Sequence, residues 1–525
     1  MNDEIKENVA SSYNKNGISH LFALSGMHVS LLTCIILFIL TKIIKEKKAY
    51  LICSLFLVFY LFLTAFSKSI VRASFLFFFL TFKKIFKINL NIKKVYVVFT
   101  CLMLIINPYN VYNNAFLYSY IISFALISFG DIINNYKNYF LKIFITSLIS
   151  FLVGIPVSIN ASFELNLISP FLNIFFVPVI SIIIFPLTLL TAVLPFLDFI
   201  TFFLMSLIEK ISLFCSYINL FKVIMPYMNI KVILLYYLLL IITVYKIRRK
   251  NNKCLLIIII FLIVHYNQNL FNSYTSLTFL DVQQGDSLLI NYQSNKGSIL
   301  IDTGGKVDSS FSYTKNTTIP YLKSLGIHQL NYLILTHGDF DHMGEAINLV
   351  NNFKVEKVIF NCGPYNDLEK ELIKVLDKKK IKYYSCIKEL NIDKNKLYFL
   401  QTKEYDNEND NSNVIYTELN GYRFMFMGDA SITTEKEILD KYDLPDIDVL
   451  KVGHHGSRTS SSKEFIDEIN PKYSIISVGK NNRFGHPNKE VLDNLENSKI
   501  YRTDIDGSIM FKIRNNKLQI ETCSS

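Results

Sequence analysis

Two patterns of apolar and polar positions divide the chain. From Leu21 to about Tyr266 apolar residues dominate: Leu21–Leu40, Leu51–Phe66, Ala115–Phe129, Ile143–Ile159, Phe171–Leu197 and Val232–Tyr245 are largely Leu, Ile, Phe and Val. A bilayer-crossing helix needs about 20 mainly apolar residues, so the region predicts roughly eight to ten transmembrane helices. Pro178, Pro186 and Pro195 predict kinked or re-entrant helices between Phe171 and Met225. From Ser276 the pattern changes to short apolar runs of strand length, each closed by a glycine, aspartate or histidine turn. The first twenty residues are mostly polar, and no cleavable signal peptide is apparent. The expected organisation is a polar linker over 1–20, a polytopic α-helical membrane domain over 21–270, and an α/β domain over 275–525.

Composition sharpens this division. A chain that is 51% hydrophobic and 14% aromatic is too apolar for one soluble protein, and the excess is confined to the first half. Short cytoplasmic loops are enriched in Lys and Arg. Lys42–Lys48, Lys83–Lys94 and Lys246–Lys253 are such loops, and they account for much of the net charge of +11. That charge alone does not establish a nucleic-acid partner. With the last basic loop inside and Cys254–Tyr266 spanning, the C-terminal half is expected outside. Cys362, Cys386 and Cys523 lack any CxxC spacing, so neither a zinc knuckle nor a disulfide framework is signalled. The polar run Glu404–Asn413 reads as a surface loop.

The second half carries a recurring arrangement in which a strand delivers an acid or an imidazole into a turn. LTFLDVQQGDSLLINYQSNKGSILIDTGG places Asp281, Asp286 and Asp302 at such points. THGDFDHMG follows the apolar run Tyr332–Leu335 with His337, Asp339, Asp341 and His342, and MFMGDAS, VLKVGHHGS and FGHP then add Asp429, His454, His455 and His486. Open α/β folds collect their chemistry at strand ends. Imidazoles and carboxylates concentrated within one short turn suit one or two divalent ions. A lone histidine would read as a surface or core residue; five following successive strands do not.

THGDFDHMG resembles the second motif of the metallo-β-lactamase superfamily, which usually reads His-x-His-x-Asp-His. FLDVQQGDSLLI, ILIDTGG, FMGDA, KVGHHGS and FGHP resemble the flanking motifs of its branch in ComEC-type competence proteins. The resemblance implies an αββα sandwich. It also implies metal ligands His337, Asp339, Asp341, His342, Asp429 and His486, with Asp429 bridging. Asp341, His342 and Asp429 are then the expected catalytic groups, and Asp281, Asp286, Asp302 and His455 are expected around them or against substrate. Asp339 stands where most of the superfamily has histidine, and no histidine lies between His342 and His454. One metal position is therefore poorer in nitrogen unless His454 or His455 joins it. An oxygen-rich site leans toward Mn²⁺ or Mg²⁺ and still admits Zn²⁺.

In the membrane half, GISHLFALSGMHVSL puts His28 inside the first apolar stretch, where an ionisable group is costly. Gly26 and Ser30 offer a small-residue face for close helix packing. Lys68 and Arg72, one turn apart in SKSIVRASFLFFFL, either snorkel to headgroups or meet a polyanion in a pore. GISHLFALSGMHVSLL, SIVRAS, Asn107-Pro108 and LISPFLNIFFVP resemble successive segments of the ComEC competence domain. A member of that family would be a channel for one strand of transforming DNA, working with other competence proteins, its metallo-hydrolase domain degrading the other strand. Residues 1–16 resemble the linker that follows the family's OB-fold region, so an OB-fold DNA-binding component is expected on another chain or absent. Two other readings stay open: a channel with an inactive metal domain, and a membrane-tethered phosphoesterase.

Overall fold

The computed structural model describes residues 2–22, 25–217, 221–249, 252–306, 311–401 and 403–523. Ala23 and Leu24 of the first motif, and Lys250 of the last basic loop, lie outside them. The chain forms two compact units, Met1–Phe261 and Leu262–Ser525.

In the first unit, residues 2–16, read from their polarity as a linker, form a helix, Asn2–Asn16. Its polar residues bond within the unit: Asn16 Nδ2 donates to the Ser212 carbonyl (2.8 Å), and the Ser12 and Ser212 hydroxyls lie 2.9 Å apart. Among the described residues five segments are long and apolar enough to cross a membrane: Ser19–Ile43, Tyr139–Ser162, Ser169–Val193, Pro195–Tyr217 and Ile230–Arg248. This is fewer than the pattern predicted. The helices Glu46–Leu63 and Lys68–Phe86 carry charges toward their ends, while Asn114–Ser128 and Leu255–Tyr266 are only 15 and 12 residues long. The proline-rich stretch keeps its helical course by widening: Val179–Ile184 is a π-helical segment just before Pro186, which has no N–H to give the usual hydrogen bond. A short antiparallel pair, β1 (Glu164–Asn166) and β2 (Lys222–Ile224), completes the unit.

The second unit is a two-sheet sandwich. The chain runs through β3 (Thr275–Phe279), β4 (Leu288–Asn291), β5 (Ser298–Ile301), β6 (Leu330–Ile334), β7 (Val355–Phe360) and β8 (Lys382–Ser385). It crosses to a second sheet built of β9 (Glu389–Ile392), β10 (Asn395–Phe399), β11 (Ile415–Leu419), β12 (Tyr422–Phe426), β13 (Val449–Lys451), β14 (Tyr473–Ile476) and β15 (Lys499–Arg502). It then returns with β16 (Ser508–Arg514) and β17 (Lys517–Cys523), giving a first sheet ordered β17-β16-β3-β4-β5-β6-β7-β8. Leu277, Phe279, Ile290, Ile299 and Ile334 from the first sheet meet Leu397, Phe424, Phe426, Val449 and Ile475 from the second to form the core between them. Helices cover the outer faces; Phe465, Ile466 and Ile438, for example, close over β12 and β13. This is the expected αββα architecture, and strands buried on both faces explain why the apolar runs were continuous rather than alternating.

Two readings of the second half are corrected. Cys362 and Cys386 form a disulfide although their spacing signalled none. β7 and β8 are parallel neighbours with Phe360 opposite Ser385, so their two strand ends bring together residues 24 apart in sequence. Glu404–Asn413 is not simply a surface loop: Asp410, Asn411, Ser412 and Asn413 are buried, because their side chains satisfy backbone groups of the turns around Leu335, Asp429 and Ser431. Reduction, or the double change Cys362→Ser, Cys386→Ser, is expected to destabilise the second unit by about 3 kcal/mol, the chain-entropy value for a loop of this size. A thermal melt with and without reductant that shows no shift would contradict this.

Candidate metal centre

The site forms where strand ends of both sheets converge. Turns after β3 and β5 supply Asp286 and Asp302, the turn after β6 supplies His337 to His342, the turn after β12 supplies Asp429, and the turn after β13 supplies His454 and His455. Close backbone approach makes two of these turns possible. At Gly285 (φ 130°) a Cβ would overlap the Asp341 carbonyl, and at Gly338 it would overlap the Asn366 side-chain amide. Gly338 is held from both sides, its N–H donating to Glu408 Oε1 (2.7 Å) and its carbonyl accepting from Asn366 Nδ2 (2.7 Å).

Three buried imidazoles are oriented alike. His342 donates from Nδ1 to Asp302 Oδ2 (2.9 Å), and His455 donates from Nδ1 to the Ser477 carbonyl (2.8 Å). His337 Nδ1 lies 3.1 Å from Thr336 Oγ1, whose own proton goes to Asp302 Oδ2 (2.7 Å). With each Nδ1 engaged outward, each Nε2 points inward and is buried without a hydrogen-bond partner, as is Asp429 Oδ1. His342 Nε2 stands 3.1 Å from Asp429 Oδ1, and Asp429 Oδ2 faces His454 Nε2 (3.6 Å) and His455 Nε2 (3.8 Å). Asp341 Oδ2 is 3.3 Å from His455 Nε2. Rings fixed at Nδ1 with Nε2 turned on shared carboxylates become, once Nε2 gives up any proton, the donor set of a divalent metal site.

His337, His342 and Asp429 form one group of close ligand atoms, and Asp341, His342 and His455 another. His455 thus enters the centre. Asp339, His454 and His486 lie outside these groups: Asp339 Oδ2 is 3.6 Å from His337 Nε2, and the His486 ring packs edge-on to His454 with centroids 5.8 Å apart. Asp286 and Asp302 form a third such group with His342, while Asp281 accepts from the Gln283 N–H (2.9 Å) and serves its own turn.

Lys451 was not anticipated. It is buried, and its Nζ pairs with Asp286 Oδ2 (2.6 Å) and donates to the Val452 carbonyl (3.0 Å). A lysine at the end of the apolar run Val449-Leu450 signals a paired burial, since lone buried lysines are rare. Burial works against ionisation of Asp286, but Lys451 with the His455 and His342 rings holds its carboxyl below the usual range. Burial likewise opposes charge on Asp429 and His342, yet each holds the other: the carboxyl sits well below its ordinary range and the imidazole well above. A site that gathers negative charge and keeps a proton on His342 is a site prepared for a cation to replace that proton. His454 and His455 are both in left-handed conformation (φ 43° and 52°), a strain of about 1–3 kcal/mol per residue that persists only where the surroundings impose it.

In the first unit, His28 is buried with its Nδ1 accepting from the Ser25 N–H (3.2 Å) and its ring on Phe185. Arg72 turns inward instead of snorkelling, donating from Nε to Ser119 Oγ (2.8 Å) and from a terminal nitrogen to Ser123 Oγ, with Gly26 packed against the guanidinium. Lys68 is half-buried and forms no ion pair among the described residues. Gly26 therefore provides the close packing its small-residue face predicted, whereas Ser30 is exposed.

Residues 1–250 match the Competence protein family and residues 280–480 the metallo-beta-lactamase superfamily. "ComE operon protein 3" of Bacillus subtilis (strain 168) is 28% identical over 97% of this chain and 70% of its own length. "Competence protein ComA" of Neisseria gonorrhoeae is 28% identical over 45% of this chain, and "Recombination protein 2" of Haemophilus influenzae 29% identical over 46%. Those two alignments cover 32% and 29% of the relatives' lengths. Among solved structures, the metallo-beta-lactamase fold protein YhfI from Bacillus subtilis matches 43% of this chain and 96% of its own, at 12% identity and a TM-score of 0.30. The chain therefore carries a Competence protein family domain followed by a metallo-beta-lactamase superfamily domain, and 97% of it aligns with one competence-operon relative.

Proposed function

We propose that the chain passes one strand of incoming DNA across the cytoplasmic membrane and that its metallo-hydrolase unit cleaves phosphodiesters of the other strand on the outer side. The observation carrying the hydrolase reading is the set of three buried imidazoles with unpartnered Nε2 atoms around Asp429 and Asp341. His337, His342, Asp341, His455 and Asp429 would hold one or two divalent ions, with His454, His486 and Asp339 at the rim. The imidazole share favours Mn²⁺ or Zn²⁺ over Mg²⁺. When bound, such ions supply Lewis acidity and an activated water. The protein's own part is orientation: Asp302 and the Ser477 carbonyl fix the rings, and the Asp286–Lys451 pair braces the floor under His455.

The Cys362–Cys386 disulfide supports the outward placement, because such bonds persist in oxidising compartments. So does the basic run ending at Lys253, which belongs inside. The purified full chain should degrade DNA with Mn²⁺ or Zn²⁺ and stop with chelator. An enzyme reporter joined at Asn420 should be active only if it works outside the cytoplasm. Absence of cleavage with Mn²⁺, Zn²⁺ and Mg²⁺ would leave the unit a binding module, and cytoplasmic reporter activity would rule out cleavage before entry.

A further inference from the structure

The loop after β14, residues 479–487, runs past the rim of the metal centre and carries an exposed aromatic ring. Asn482 pins the loop across its neck: its Oδ1 accepts from the His486 N–H (3.0 Å) and its Nδ2 donates to the His486 carbonyl (2.7 Å). The three residues between them, Arg483, Phe484 and Gly485, form a tip held at both ends, with Arg483 and Phe484 in solvent. Phe484 is 65% exposed, yet its ring is not adrift. It lies nearly parallel to the His486 imidazole (centroids 5.8 Å, 26°). His486 in turn packs edge-on to His454, whose Nε2 stands 3.6 Å from Asp429 Oδ2. The ring is therefore linked to the metal-binding carboxylate through two histidines. Arg458, three residues after His455, is also exposed, and neither it nor Arg483 is in an ion pair among the described residues.

Single exposed phenylalanines are common on protein surfaces and need no explanation. This one differs in being held by a pinned neck, backed by an imidazole at the metal rim, and next in sequence to the exposed Arg483, which forms no ion pair among the described residues. A flat apolar face beside cations is the means by which proteins hold unpaired nucleotides: the base stacks on the ring while the cations meet the phosphates. A base inside a duplex is already stacked on both faces and has none to offer.

Resting on the hydrolase reading above, we propose that Phe484 is a stacking platform for an unpaired base next to the scissile phosphate, with Arg483 and Arg458 on the flanking phosphates. The site is thus selective for a single-stranded segment. Base stacking on an aromatic ring contributes about 1–3 kcal/mol per base, roughly 5- to 150-fold in affinity.

The test uses the full chain in detergent with chelator present, so that binding is read without cleavage. The probes are an oligonucleotide containing 2-aminopurine, whose fluorescence is quenched by stacking, and the same sequence as a blunt duplex. The single strand should bind with quenching, and Phe484→Ala should weaken it by roughly 5- to 150-fold and relieve the quench, with a much smaller effect on the duplex. Phe484→Trp should restore both signals. Arg483→Ala should weaken single strand and duplex alike and lower the salt dependence. Unchanged quench and affinity in Phe484→Ala would overturn the proposal, as would equal losses for the two probes or no binding of the single strand by the parent chain. A chain that binds and quenches as expected yet cleaves with no metal would instead sink the hydrolase reading and leave the platform standing.

Discussion

Asp341→Ala should lower metal-dependent DNA hydrolysis by about three orders of magnitude while the second unit keeps its fold. Asp341 is the most accessible of the clustered carboxylates, 34% exposed at its side chain, so its loss leaves no large cavity and no buried partner stranded except the His455 Nε2 that faces it. A metal ion contributes several kcal/mol of transition-state stabilisation, and about 4 kcal/mol corresponds to roughly a thousandfold in rate. Asp302→Asn should act more mildly, by roughly 10- to 100-fold, because it disturbs the orientation of His342 instead of removing a ligand. Rate and metal affinity should be measured together, by single-turnover cleavage and by metal titration. Metal affinity should also rise with pH: the Asp429 and Asp302 carboxylates keep a proton on His342 above its usual range, and the ion must displace that proton. Undiminished cleavage by Asp341→Ala would exclude the proposed centre.

In the membrane half the largest expected effect belongs to Arg72. Replacing it by alanine should cut labelled-DNA internalisation by roughly 10- to 150-fold, the range of a charged hydrogen-bonding contact worth about 1.5–3 kcal/mol. A polyanion crossing a low-dielectric layer needs such groups along its path. Arg72 is turned into the helix bundle, held by Ser119 and Ser123, with no acidic partner among the described residues. His28→Ala should add a smaller loss. Its Nδ1 already accepts from the Ser25 N–H, so part of its effect is on the start of the helix Gly26–Ile43. Cleavage by the same preparations should be retained, and membrane abundance of each variant must be matched. Normal uptake in the double variant His28→Ala, Arg72→Ala would remove both residues from the DNA path and favour a tethered hydrolase.

Much of the second unit was legible because its strands are buried on both faces and end in chemistry. The run Tyr332–Leu335 announced β6, and THGDFDHMG, Asp429 and His455 fell at the strand ends where the site assembled. What escaped depends on which strands become neighbours. The disulfide needs β7 beside β8, and the Lys451–Asp286 pair needs β13 and the turn after β3 brought together from different sheets. The burial of Asp410 to Asn413 was hidden for a related reason: residues that satisfy backbone groups inside a protein have the same composition as residues facing water. In the first unit the apolar pattern predicted more spans than the five long apolar segments found among the described residues, because helices such as Glu46–Leu63 and Lys68–Phe86 carry charges toward their ends.

The pairing of β16 with β3 has a kinetic consequence. Ile513 lies opposite Thr275, and the Ser508 hydroxyl accepts from the Asp281 N–H, so the first strand of the sandwich is completed by one of the last to be made. At roughly 5–20 residues per second, synthesis of the intervening chain takes on the order of ten to fifty seconds. During that time β3 presents an open edge, the kind of surface that seeds aggregation, and the ring closure it awaits is among the slowest types of contact to form. A ribosome that stopped short of Ser508 would deliver inserted helices joined to a sheet that never closes. Such products leave the β3 edge open to aggregation and proteolysis, so the yield of folded protein depends on completing β16 as well as on inserting the helices.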